Sequence, residues 1–161
     1  MNEMILIGKT VSTFGIKGEL KVRSDFNYLD KAYKFGNVIL INNIEHEISG
    51  VRYHKNNVLL KIDGLENIND ILEYVGYNIY IKRMDLKLND NEYLDSDLIN
   101  SDVINDNKNI GRVVDVIRGV NTLIKVRKEK EFYIPYVSEY VVSFNLEKKI
   151  LYTKNCEDLI I

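Results

Sequence analysis

Short β-branched runs in which apolar and polar residues alternate recur along this chain, separated by Asn, Asp and Gly. A period of two puts every second side chain on one face, so each run predicts a half-buried strand. In the first half these are Ile5 to Thr10, Glu19 to Ser24, Val38 to Ile41, Glu47 to Tyr53, Val58 to Ile62 and Asn78 to Ile81. Asn42-Asn43 and Asn56-Asn57 predict tight turns between strands, because Asn tolerates positive φ. One segment breaks the alternation. Ile68, Ile71, Leu72 and Val75 recur at helical spacing behind a capping Asn67 and before a stopping Gly76. A helix of about two turns there would plug the open end of a barrel.

The pattern lapses from Arg83 to Tyr93, and residues 85–92 are the expected linker between domains at 1–84 and 93–161. Beyond it the strands resume as Asp102 to Ile104, Asn109 to Ile117, Thr122 to Arg127, Glu131 to Pro135, Glu139 to Phe144 and Lys149 to Thr153. Asn105-Asp106-Asn107 and Arg127 to Lys130 predict hairpin loops, and the only proline, Pro135, ends a strand. Many short strands at close spacing predict a mainly all-β protein of sandwich or barrel type, with one or two short helices.

Charge refines this picture. The net charge of −2 argues against a protein that coats nucleic acid by bulk electrostatics. Residues 1–83 hold 11 Lys+Arg against 10 Asp+Glu, and residues 84–161 hold 11 against 14. The acidic second half suits a basic protein partner better than a phosphate backbone. No run approaches the roughly 20 apolar residues of a membrane span, and Met1 to Gly8 lacks the features of a secretory signal. A single cysteine, Cys156, cannot form an internal disulfide. Together these features predict a soluble, cytoplasmic protein.

Catalytic constellations are missing from the sequence. It has no P-loop, no dinucleotide-binding glycine pattern, no G-x-S-x-G and no metal-ligand spacing. His46 and His54 stand eight residues apart in different predicted elements. The expectation is a protein without a catalytic site, bound metal or cofactor.

A more specific reading rests on Gly8 to Val22, a strand, a loop in which Gly15 and Gly18 bracket Ile16-Lys17, and a second strand. The run GIKGELKV at Gly15 to Val22 resembles the opening of the RimM family of ribosome maturation factors, with Phe14 at a position usually held by histidine. Val51 to Lys55, Val58 to Gly64 and Tyr80 to Arg83 resemble further family segments in the same order. Glu92 to Ile99, Ile110 to Val116, Gly119 to Leu123 and Phe132 to Tyr136 resemble the family's PRC-barrel half. Two departures stand out. Leu94 follows Tyr93 where the family commonly has a second aromatic, and Asn100 replaces a glycine.

The resemblance implies two tandem β-barrels, an N-terminal six-stranded translation-factor-like barrel and a C-terminal PRC barrel. It implies a monomer without enzymatic activity that binds the immature small ribosomal subunit and promotes 16S rRNA maturation and folding of the subunit head. Its expected partners are 16S rRNA and a basic head protein, the nineteenth of the small subunit. The residues implied for rRNA are Lys17, Lys21, Arg23, Arg52, His54 and Lys55. Those implied for the ribosomal protein are Tyr93, Leu94, Asp115, Asn121 and Tyr136, while Gly15 and Gly18 shape the loop. Two other readings stand beside this one: a general PRC-barrel interaction module, and a translation-factor-like barrel that binds mature ribosomes.

Overall fold

A computed structural model describes residues 3–160. Residues 1, 2 and 161, at the outer ends of the two expected domains, lie outside the described residues. The chain divides into two compact units, Met1–Asn89 and Asp90–Ile161.

Six strands build the first unit: β1 (Met4–Phe14), β2 (Glu19–Arg23), β3 (Val38–Ile41), β4 (Ile44–His54), β5 (Asn57–Ile62) and β6 (Asn78–Lys82). They close into a barrel in the order β1-β2-β5-β4-β3-β6, and closure removes the free edges that would otherwise invite pairing with another chain. Inward positions carry Leu20, Val22, Ile39, Ile41, Ile48, Leu60, Ile62, Ile79 and Ile81, all fully buried. The helical segment is present as α2 (Ile68–Ile71) continued by a 3-10 turn, Leu72–Tyr74. Asn67 Oδ1 accepts from the backbone N–H of Asn69 at 2.9 Å and of Asp70 at 3.3 Å, so the expected cap forms. Ile71 is buried, and the Thr10 hydroxyl of β1 donates to the Tyr74 carbonyl at 2.6 Å.

The β3–β4 hairpin turns at Asn42-Asn43, with φ of 54° and 62°. The β4–β5 turn differs from expectation by one residue. His54 pairs with Asn57, so the turn residues are Lys55 (φ 48°) and Asn56 (φ 66°) rather than Asn56-Asn57. Register decides this: a one-residue slip would turn Val58, Leu60 and Ile62 out of the barrel. Helix α1 (Leu29–Ala32) was not foreseen, since a single turn is too short to show a period. It delivers Tyr33, which is buried and donates to the Ile7 carbonyl at 2.7 Å. Leu86, within the stretch expected as linker, is buried at the end of a 3-10 turn, Arg83–Leu86.

The second unit opens with α3 (Asp95–Leu98) and continues through β7 (Asp102–Asn105), β8 (Lys108–Ile117), β9 (Leu123–Arg127), β10 (Glu131–Pro135), β11 (Val141–Asn145) and β12 (Ile150–Thr153). These strands form one six-stranded sheet in the order β10-β9-β8-β7-β12-β11. All its neighbours are antiparallel except β12 and β7, which run parallel. Leu98, Val103, Val113, Ile124, Val126, Phe132, Ile134, Leu151 and Cys156 make its core. The chain is therefore mainly β, as the alternation predicts.

Candidate functional site

The glycine loop between β1 and β2 is fixed by geometry at both ends. Gly15 has φ 67° and Gly18 has φ 84°, in the left-handed region that a β-carbon disfavours. At Gly18 space is also short: a β-carbon would stand 2.8 Å from the Leu65 carbonyl oxygen and 2.9 Å from the Asn67 nitrogen. The loop therefore lies directly against the cap of α2.

Just beyond this loop the outward faces of β2, β5 and β4 carry several charged side chains. Cross-strand register sets Lys21 opposite Leu59 and Leu59 opposite Arg52. Glu19, Lys21 and Arg23 alternate with the inward Leu20 and Val22. Arg52 reaches past β5 to Glu19, donating from Nε at 2.8 Å and from Nη2 at 2.9 Å. Its guanidinium lies 5.4 Å from the Phe14 ring centroid, and the His54 ring packs on that ring at 5.1 Å. Leu59, at an outward register position between Lys21 and Arg52, is nevertheless fully buried. Hydrogen bonding from Arg52 holds the Glu19 carboxyl below its usual range, with Arg52, Lys61 and Lys17 adding favourable charge and desolvation opposing.

Lys17 sits exposed in the glycine loop, and Lys55 in the β4–β5 turn. Lys21 is half-buried and Arg23 exposed, both on β2. None of these four side chains makes an ion pair among the described residues, whereas Arg52 is held by Glu19. The partner of Arg52 was invisible in the sequence, because Glu19 lies 33 positions away and register alone joins them.

In the second unit, the half-buried Tyr93 and Tyr136 meet hydroxyl to hydroxyl. Tyr93 also packs on Phe144, with ring centroids 4.9 Å apart. Leu94 departs from the expectation: it is 3% exposed, so its side chain offers no contact surface. Its N–H donates to the Asp97 carboxylate at 2.7 Å, which starts α3. Asp115 is exposed on β8, and Asn121 is exposed in the loop before β9. No local pattern announces the pair that tethers that loop. Arg118 donates from Nη2 to Asp95 Oδ1 at 2.6 Å and from Nε to the other oxygen of the same carboxylate. Among the described residues there is no group of His, Cys, Asp and Glu that could hold a metal, and no helix long and apolar enough to cross a membrane.

Residues 5–86 match the RimM N-terminal domain and residues 95–159 match the RimM PRC barrel domain. The ribosome maturation factor RimM of Staphylococcus haemolyticus is 38% identical over 162 aligned positions, covering 96% of this chain and 97% of that protein. The chain belongs to the RimM family of ribosome maturation factors. The Staphylococcus aureus RimM is 36% identical, with 91% of this chain and 93% of that one covered. Among solved structures, a 16S ribosomal RNA processing protein RimM from Pseudomonas aeruginosa aligns over 94% of this chain and 97% of its own, with 24% identity and a TM-score of 0.48.

Family members are named for a maturation role rather than for an enzymatic activity. Against the RimM pattern, Phe14 keeps an aromatic ring in place and uses it to pack Arg52 and His54. Asn100, which stands where the family commonly has glycine, adopts φ 68°, a conformation that asparagine tolerates better than other non-glycine residues.

Proposed function

We propose that this protein binds the immature small ribosomal subunit and promotes maturation of 16S rRNA and folding of the subunit head, acting as a monomer without covalent chemistry. The RimM match to both units carries this reading, because it supplies both binding halves in one chain. The outward face of β2-β5-β4 meets rRNA: Lys17, Lys21, Arg23 and Lys55 take phosphates, while Arg52 and His54 add a face stacked on Phe14. The Glu19 pair occupies Nε and one Nη2 hydrogen of Arg52, and the remaining donors are directed to an incoming oxygen.

The second unit meets the basic nineteenth protein of the small subunit through Tyr93, Tyr136, Asp115 and Asn121. Its excess of acidic residues favours encounter with such a partner. Work on the particle follows from differential affinity: the protein stabilises an assembly intermediate more than the mature subunit and so shifts the population toward the folded head.

Co-sedimentation with immature small subunits, mature small subunits and whole ribosomes, at two salt concentrations, tests this. Enrichment on the immature particle is expected, with an affinity that falls as salt rises. Equal binding to all three would replace it with the translation-factor-like reading, and binding to none with a general interaction module.

A further inference from the structure

The second unit is acidic as a whole, yet one end of its sheet is basic. The β7–β8 hairpin brings Lys108 to its tip, and the β9–β10 hairpin brings Lys128 and Lys130 to its own. The two tips flank a cleft of about 480 Å³. Its apolar lining comes from Ile110, Phe132 and Ile160. Glu129 is the one carboxylate among the lining side chains, against three lysines.

Of the seven other cations in this unit, four are neutralised locally by carboxylates. Arg112 pairs with Asp102, Arg118 with Asp95, and both Lys125 and Arg127 with Glu131. Lys108, Lys128 and Lys130 have no such carboxylate partner among the described residues. The two hairpin tips are also joined to each other. Lys128 Nζ donates to the Asn109 carbonyl at 2.8 Å, which ties one hairpin tip to the other and holds a charge at the rim. An ammonium has three donors, so two remain for a ligand.

We propose that this cleft is a second RNA-contact site, which takes an unpaired base of single-stranded RNA against Ile110 and the exposed Ile160 while the three lysines hold the flanking phosphates. Apolar lining beside unpaired cations fits a nucleotide, whose base is flat and apolar-faced and whose backbone is anionic. An acidic peptide would use the lysines but leave the apolar lining without a partner. The choice of RNA rests on the proposed rRNA binding of the whole chain, and it assigns part of that binding to the unit otherwise reserved for protein.

The test uses the full chain, a fluorescently labelled oligouridylate and, as competitor, a polyglutamate peptide of equal length. Wild type is compared with the triple variant Lys108→Gln, Lys128→Gln, Lys130→Gln, with circular dichroism confirming that both are folded. Each lost phosphate contact on a single strand removes about 0.7 from the salt slope, so the triple variant's slope flattens by about 2. Between 50 and 200 mM salt, wild type therefore loses on the order of tenfold more affinity than the variant. Backbone amides of 108–110 and 128–132 shift on adding RNA. Unchanged salt slope, or shifts confined to the first unit, would overturn the site. Polyglutamate that displaces the RNA at equal concentration and shifts the same amides would overturn RNA as its ligand in favour of an acidic protein. In co-sedimentation the two proposals separate: if only this site is wrong, the triple variant is still enriched on the immature subunit with the wild-type salt dependence. If the assembly reading is wrong, wild type itself shows no enrichment.

Discussion

Arg52 and Glu19 are joined by two parallel hydrogen bonds that pass across an intervening strand, on which the outward-facing Leu59 is fully buried. The pair thus orients an arginine that also lies over an aromatic ring, that of Phe14. Under the proposed function, Arg52→Ala weakens binding to immature subunits roughly tenfold, the loss of one charge-assisted contact of about 1.5 kcal/mol. The fold survives. Sedimentation binding beside a thermal melt checks both statements, and unchanged affinity would remove Arg52 from the site.

The same pair sets a pH dependence. The Glu19 pKa is depressed below its ordinary 4.5, so its contribution to stability is present above that value and drains away as pH falls below it. Melting temperatures measured from pH 6 to pH 3 should fall more steeply for wild type than for Glu19→Gln. Parallel curves would show that the pair contributes nothing to folding.

Gly15 and Gly18 share a positive φ but not a neighbourhood. Nothing stands within 4 Å of a β-carbon at Gly15, whereas backbone atoms crowd one at Gly18. Gly15→Ala should cost about 1 kcal/mol, the left-handed penalty alone. Gly18→Ala should cost about 3 kcal/mol, with the α2 cap displaced as well. Urea unfolding midpoints of the two variants distinguish them, and equal losses would contradict the packing.

Asn100 offers the complementary substitution. Its φ of 68° suits glycine at least as well, so Asn100→Gly should change stability by less than about 0.5 kcal/mol, and Asn100→Ala should lose about 1 kcal/mol. Denaturant titration of both variants is sufficient.

Tyr93 and Tyr136 meet through their hydroxyls. Removing either hydroxyl with Phe should cost about 1 kcal/mol, and the double variant should cost less than the sum. A double-mutant cycle by chemical denaturation measures this coupling. Strict additivity would mean that the two hydroxyls act independently.

Much of the architecture is legible in the residues because the strands obey one strong rule. Buried Leu20, Val22, Leu60 and Ile62 alternate with outward charges, and such alternation is readable without knowledge of partners. The Asn67 cap is equally local. Elements that depend on distant neighbours were not readable. The sequence suggests that β1 ends at Thr10, but a register shift between Thr10 and Ser12 carries it on to Phe14, opposite Glu19. That extension brings Phe14 to Arg52, so the arrangement of the first candidate site depends on a bulge that no periodicity announces. In the same way, Leu94 looks like half of an exposed pair beside Tyr93, whereas the start of α3 buries it.

The parallel pairing of β12 with β7 has a consequence for how the nascent chain acquires its shape. Residues 102–105 cannot complete their ladder until residues 150–153 arrive to lie between β7 and β11. The first barrel is closed instead by β6, which ends at Lys82 and pairs with β1 and β3. During synthesis the first unit can therefore close while the second is still emerging, and the second waits for its final strand. The two halves can thus form in order, each completed by the last strand it receives.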